Sequence, residues 1–261
     1  MTFDLWETLL IDRHEFDSLR NNARINGMHA ILSKLGMKIT LDALRAAYDQ
    51  SAVRLTEIWE RAESTPVVEQ LRMIIKAASQ DKFDLPLDPS EIDKLEQAYV
   101  DPLFEFPPAL NPDAILTLQS MRRRVRKIGL VSNTGRSPGV ALRKLMSEHG
   151  ILRYFDATVF SDEVGCRKPD RRIFEAAMQR LGATAERTIH IGDDPNADIR
   201  GAKQSGMLAI LFDYPVPEEF KQSPNSLFAL SRASQPSDPV VEPDAKVTSL
   251  SETLAFLDSL K

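Results

Sequence analysis

The spacing of apolar positions changes character once along this chain. From about residue 12 to 107 they recur at helical intervals. Phe16, Leu19, Ala23, Met28, Ile31, Leu32 and Leu35 form a first stripe, and Gly36 follows where a helix ends in a left-handed residue. Thr40 precedes a second stripe of Leu44, Tyr48, Leu55, Ile58 and Trp59. Thr65-Pro66 predicts an N-cap and first helical residue for a third helix bearing Leu71, Ile74, Ile75 and Ala78. Asp88-Pro89-Ser90-Glu91 has the spacing of a reciprocal cap ahead of Ile92, Leu95 and Tyr99. Four amphipathic helices in succession predict a compact bundle, with stripes that pack rather than ligate a cofactor.

After Pro107-Pro108 short apolar runs alternate with helical stretches. Helices are expected at about 111–124, 138–149, 171–181 and 197–205, and strands at Ile128–Val131, Ala157–Phe160, Thr188–Ile191 and Leu208–Phe212. That alternation predicts an α/β fold, a doubly wound (Rossmann-like) parallel sheet with an inserted α-helical bundle. The expected division is a core of 1–11 and 108–261 and a helical domain of 12–107. The first apolar run is only Met1 to Phe3, so either the natural chain begins earlier or its first strand is frayed. Residues 213–243, rich in proline and serine, are expected to be a surface excursion. Lys246–Thr248 and an apolar helix at 250–259 would close the sheet at an edge.

Bulk chemistry narrows the function classes. The chain has 261 residues and a formal net charge of −5, which leaves no basic excess for a nucleic acid. Arg122-Arg123-Arg124, Arg126 and Lys127 read as the cationic end of a helix. Cys166 is the single cysteine, so neither an internal disulfide nor a zinc cluster is available, and it reads as a small apolar filler. No signal peptide is visible, and no apolar run approaches the ~20 residues that cross a bilayer. The expectation is a soluble, cytoplasmic protein without membrane partners; nothing in the pattern sets an oligomeric state. His14, His29, His149 and His190 have no metal-ligand spacing and read as structural or surface residues.

In an open parallel sheet, chemistry sits at the carboxyl ends of the strands. Those ends carry Asp4, Ser132-Asn133, Lys168-Pro169 and Asp193-Asp194. Phe3-Asp4-Leu5-Trp6-Glu7-Thr8-Leu9 resembles the first motif of the haloacid dehalogenase superfamily. Val131-Ser132-Asn133 resembles its second, Arg167-Lys168-Pro169 its third, and Ile191-Gly192-Asp193-Asp194 with Asp198 its fourth. The resemblance covers about 1–11 and 108–212, and the helical insertion has the size and position of a cap.

The resemblance implies Asp4 as nucleophile, with Ser132 and Lys168 as its catalytic companions. It implies Mg²⁺ held by Asp4, the backbone carbonyl of Trp6, Asp193 and Asp194. Ser132, Asn133, Trp6 and Arg24 would meet a small anionic substrate, Arg20 being a further candidate on the first cap helix. Thr8 would stabilise the turn after Asp4, and Asp198 would anchor the fourth loop.

One position departs from the pattern. Phosphatases of this superfamily usually carry a second Asp two residues after the nucleophile, where this chain has Trp6. Glu7 stands at the usual glycine position, with a spacing that points it away. Losing a general acid costs ~10²–10⁴-fold, so the sequence predicts a slow phosphatase or one suited to activated leaving groups. A dehalogenase acting on 2-haloacids is the alternative, Trp6 then lining an apolar pocket. Phosphonate hydrolysis would need a cap lysine, for which Lys34 and Lys38 are candidates by proximity alone and otherwise read as solvated helix-face lysines. A weakly catalytic member that binds a phosphorylated ligand or a partner protein is the reading from another class. The Asp193-Asp194 pair, unneeded by a dehalogenase, favours metal-dependent hydrolysis of an organophosphate through an aspartyl-phosphate on Asp4.

Overall fold

The computed structural model describes residues 1–80, 82, 88–220, 227–233 and 241–260. The chain begins with β1 (Thr2–Phe3) and β2 (Leu10–Ile11), then enters the helices α1 (His14–Lys34) and α2 (Leu41–Trp59). There follow α3 (Val67–Ala78), α4 (Pro89–Val100) and α5 (Pro102–Glu105). Next come β3 (Ala109–Leu110), α6 (Ala114–Arg122), β4 (Gly129–Ser132) and α7 (Gly139–Glu148). β5 (Ala157–Phe160), α8 (Ser161–Val164), α9 (Arg171–Leu181) and β6 (Ile189–Gly192) continue the alternation. A π-helical turn at Pro195–Arg200 runs into α10 (Gly201–Gln204) and then β7 (Leu208–Phe212). The last elements are α11 (Leu227–Ala233), β8 (Ala245–Val247) and α12 (Glu252–Ser259).

Six strands form one parallel sheet in the order β5-β4-β1-β6-β7-β8. Taken along the chain this is 3-2-1-4-5-6, so the order reverses between β1 and β6, where a crevice opens beyond the strand ends. β1 is two residues long and forms the central rung of the sheet. Thr2 and Phe3 are fully buried and pair on both edges, to Gly129 and Leu130 on one side and His190 and Ile191 on the other. The strand is brief but not frayed. β8 and α12 close the far edge, as the apolar pattern of 246–259 predicts.

The chain leaves this sheet at Ile11 and returns at Ala109 through a two-stranded antiparallel ladder. Between them α1 to α4 enclose their own apolar cluster, including Ile25, Met28, Leu44, Ile74, Leu95 and Tyr99. Gly36 takes φ 76° after α1, as its position predicts. The Asp88–Glu91 capping box forms on both sides. The predicted Thr65 cap does not: Pro66 itself precedes α3, and among the described residues the Thr65 hydroxyl has no hydrogen-bond partner. Gln70 instead bonds the Thr65 carbonyl.

Two further expectations need correction. The predicted helix at 197–205 is a π turn followed by a short α segment, because Asp194 caps from two residues further back, accepting from the amides of Asn196 and Ala197. Part of the predicted surface excursion at 213–243 is α11, which packs on α2 and carries Arg232 into the crevice. Of the basic run, Arg124 donates to the Ser120 carbonyl at the end of α6, while Arg122 and Lys127 pair with Asp156 just before β5.

Candidate active site

Asp4 leaves β1 at the reversal point, its amide still bonded to Ile191. The Lys168 ammonium donates to Asp4 Oδ1 at 2.5 Å and to Asp198 Oδ1 at 2.5 Å. Asp198 is further held by His190 Nε2 at 2.9 Å and by the Asp194 amide, and His190 in turn meets the Thr2 hydroxyl. Burial alone would pull the Lys168 ammonium down, but Asp198 and Asp4 hold it above its usual range. Burial pushes Asp4 up to about 8, with Lys168 opposing and Asp198 and Asp193 adding to the rise. Asp198, although equally buried, is held well below the carboxylate range by Lys168 and His190. The lysine is therefore committed to Asp198, and the carboxylate short of compensation is Asp4.

Asp193, at the end of β6, joins them: one oxygen each from Asp4, Asp193 and Asp198 lies within 4.8 Å of the others. Gly192 makes this possible, since a Cβ there would stand 2.2 Å from the Asp198 carboxyl carbon. The Thr8 hydroxyl reaches Asp193 Oδ1 at 3.5 Å, so it ties the first loop to the fourth. Arg232 of α11 pairs with Asp193 and comes within 3.4 Å of Asp194. Burial raises Asp193 to about 6 against the pull of Arg232. Glu7 sits at φ 55°, a left-handed conformation suited to the glycine that the resemblance puts there. Its side chain lies in the same crevice, where burial and then Asp193 and Asp12 push it up to about 8.

These groups line one cavity of about 430 Å³ between the sheet and the helices. Trp6 is half-buried in its wall and pairs through its backbone with Leu10. Arg20 is not free for a substrate tail, being paired with Asp12 and bonded to the Phe106 carbonyl. Arg24 is buried in the wall, bonded to the Tyr99 carbonyl and to Asn21. Lys34 and Lys38 are exposed and lie outside it. Cys166 is buried in an apolar cluster beneath the Lys168 loop, as expected of a filler.

The loop after β4 differs in detail from its sequence reading. Ser132 is fully buried, its hydroxyl 3.5 Å from the carbonyl of Asn133, and the cavity wall begins one residue later. Asn133 spends both ends of its amide on the backbone of Lys168, accepting from its N–H at 2.8 Å and donating to its carbonyl at 3.0 Å. It clamps the lysine loop. Among the wall residues that the sequence reading does not single out for binding are Trp59, Arg136, Arg167 and Arg232. A signal existed for two of them, since Arg167 opens the third motif and Arg136 follows the second by three residues. His190 was legible too, as one polar residue within a wholly buried strand, which requires partners.

Fold and site together define an α/β hydrolase whose carboxylates and lysine converge at the reversal point of a doubly wound sheet. The family model of haloacid dehalogenase-like hydrolases matches residues 1–206, and the chain belongs to that family. A phosphoserine phosphatase from Thermus thermophilus is 28% identical over 265 residues, spanning 97% of this chain and 96% of that one. A glyceraldehyde 3-phosphate phosphatase from Methanothermobacter thermautotrophicus is 37% identical over 109 residues. That second match spans 41% of this chain and under half, 46%, of the relative. Among solved structures, a HAD phosphatase from Thermococcus onnurineus has a TM-score of 0.60 at 21% identity, covering 98% of this chain and 96% of its own. A 2-haloacid dehalogenase from Pseudomonas syringae pv. Tomato DC3000 has a TM-score of 0.63 at 20% identity, covering 100% and 98%. These two likenesses bear on the fold. Among the described residues no helix is long and apolar enough to cross a membrane.

Proposed function

We propose that this chain is a Mg²⁺-dependent phosphatase of small anionic organophosphates, working in the cytoplasm, with 12–107 as a cap over a core of 1–11 and 108–261. The observation that carries this reading is the approach of Asp4, Asp193 and Asp198 to within 4.8 Å beside Lys168. A dehalogenase has no use for Asp193 next to a carboxylate substrate. The phosphatase names of the sequence relatives favour the same reaction.

The donor set fits the metal, because every candidate is a hard oxygen. Asp198 has both oxygens engaged by Lys168, His190 and the Asp194 amide. The ion would therefore be held by Asp4, the Trp6 carbonyl and Asp193, with Asp194 completing the set. Bound there, it would neutralise the crowded carboxylates and the phosphoryl oxygens.

Asp4 would attack phosphorus, the ester P–O bond would break, and the phosphoryl group would remain on Asp4 as an acyl phosphate. Water would then release inorganic phosphate and restore the carboxylate. Lys168, fixed by Asp198 and by the Asn133 clamp, offsets charge on the nucleophile and the phosphoryl group. Ser132 would offer its hydroxyl to a phosphoryl oxygen, turning from the Asn133 carbonyl to do so. Trp6 and Arg24 would form the wall against the leaving group, and the helices above would exclude bulk water. With Trp6 where an acid commonly stands, leaving groups of low pKa should react fastest. Phosphate release from a panel of esters, with Mg²⁺ and again with EDTA, tests the reading; turnover that persists unchanged in EDTA would exclude it.

A further inference from the structure

Charge is distributed unevenly along the cavity. Around Asp4 the cations are matched: Lys168 with Asp4 and Asp198, Arg232 with Asp193, Arg20 with Asp12. Elsewhere in the wall, Arg136 and Arg167 are each 7% exposed, and neither forms an ion pair among the described residues. Their partners are neutral. Arg136 lies 3.9 Å over the Tyr48 ring and donates to the Tyr99 hydroxyl at 2.6 Å and the Ser51 hydroxyl at 3.1 Å. Arg167 lies 3.9 Å over the Trp59 ring and donates to the Thr134 carbonyl. Asp17 acts on Arg136 and Asp162 on Arg167 through space, without pairing.

A guanidinium out of water without a counter-charge is costly. For Arg136 and Arg167 an anion entering the cavity would supply one. Aromatic faces below them fix the guanidinium planes while leaving donors at the edges. The Tyr99 hydroxyl is itself fixed by Gln70, whose amide also bonds the Gly135 carbonyl beside Arg136. The Trp59 indole N–H is buried in the same wall with no hydrogen-bond partner among the described residues. Tyr48, Ser51 and Trp59 lie along one face of α2, so the stripe that packs the helix also backs these two guanidiniums.

We propose that Arg136 and Arg167 form a second anion subsite, so that the preferred substrate is a phosphate monoester bearing another anionic group, a carboxylate or a second phosphate, on its leaving group. The proposal rests on the phosphatase reading and adds the substrate class to it. Arginine suits either anion, because its fork matches both geometries.

The test compares matched esters on the wild-type protein. 3-Phosphoglycerate against glycerol 3-phosphate probes a carboxylate, and fructose 1,6-bisphosphate against fructose 6-phosphate probes a second phosphate; p-nitrophenyl phosphate reports the chemistry by itself. At least one charged partner should show kcat/KM about tenfold or more above its neutral match, the scale of one charge-assisted bond. Arg167→Gln should collapse that ratio towards one, mainly through KM, and Arg136→Gln should do the same if circular dichroism shows it folded. Turnover of the aryl phosphate with ratios near one in both pairs would overturn the subsite and leave the phosphatase reading standing. If no ester is hydrolysed, that reading fails separately. Calorimetric titration then decides the subsite, tighter binding of 3-phosphoglycerate than of glycerol 3-phosphate supporting it and equal or undetectable binding overturning it.

Discussion

Lys168 and Asp4, 164 residues apart in the chain, meet at 2.5 Å in a pocket where both are almost wholly buried. Neither charge would be tolerable there alone. Asp198 makes the arrangement hold, because it keeps the ammonium charged while Asp4 is left as the less compensated acid. Lys168→Met should therefore lower turnover by ~10²–10³-fold, as removing a preorganised charge does. It should also destabilise the metal-free protein by about 3–5 kcal/mol, because two buried carboxylates lose their partner. Urea denaturation and steady-state kinetics measure both effects; wild-type stability in the metal-free variant would contradict the pairing.

Gly192 is the narrowest point of the site. A methyl group there would press on the Asp198 side chain at 2.2 to 2.6 Å. Gly192→Ala should cost about 1–3 kcal/mol, as overpacking generally does, and turnover should fall because Lys168 loses its anchor. Unchanged kinetics in the folded variant would show that the Asp198 carboxyl can shift freely.

Glu7 gives the site a pH dependence whose sign is fixed. Burial moves it from an ordinary 4.5 up to about 8. Between those values the folded chain binds one proton more than the unfolded chain, so this group's contribution falls as pH rises towards 8. In EDTA, Glu7→Gln should lose that part of the slope. Urea midpoints at pH 5 and pH 8 should lie closer together in the variant than in the wild type; equal spacing would contradict the assignment.

Arg232 stands against Asp193, a proposed ligand of Mg²⁺. A fixed cation beside a metal position competes with the ion for the same carboxylate. Arg232→Ala should therefore lower the Mg²⁺ concentration that gives half-maximal rate. A higher Mg²⁺ requirement in the variant would mean that the arginine supports the metal position instead.

The sheet was legible in the sequence because buried parallel strands write themselves as short apolar runs; the ends of those runs and the loop beyond one of them located Asp4, Lys168 and Asp193, and the resemblance added Asp198. The helical insertion was legible from its stripes and from the Asp88 cap. What side chains do within the crevice was less so. Asp194 and Asp198 are four residues apart in one motif, and only the fold separates Asp194, which caps the π turn, from Asp198, which braces Lys168. Asn133 has the look of a substrate ligand until its amide is seen clamping the lysine loop. Arg232 lies in a stretch whose proline and serine content hid a short helix. Arg136 stands out only when its neutral surroundings are known, since a sequence does not report which charges lack partners.

The most direct test of the account is p-nitrophenyl phosphate hydrolysis by the wild type and by Asp4→Asn, each with Mg²⁺ and with EDTA. Asparagine keeps the volume of Asp4 and removes the nucleophilic oxygen anion, so folding should survive. The account predicts Mg²⁺-dependent turnover in the wild type, lost in EDTA, and a rate in Asp4→Asn that is indistinguishable from background. A folded Asp4→Asn protein with wild-type turnover would contradict it.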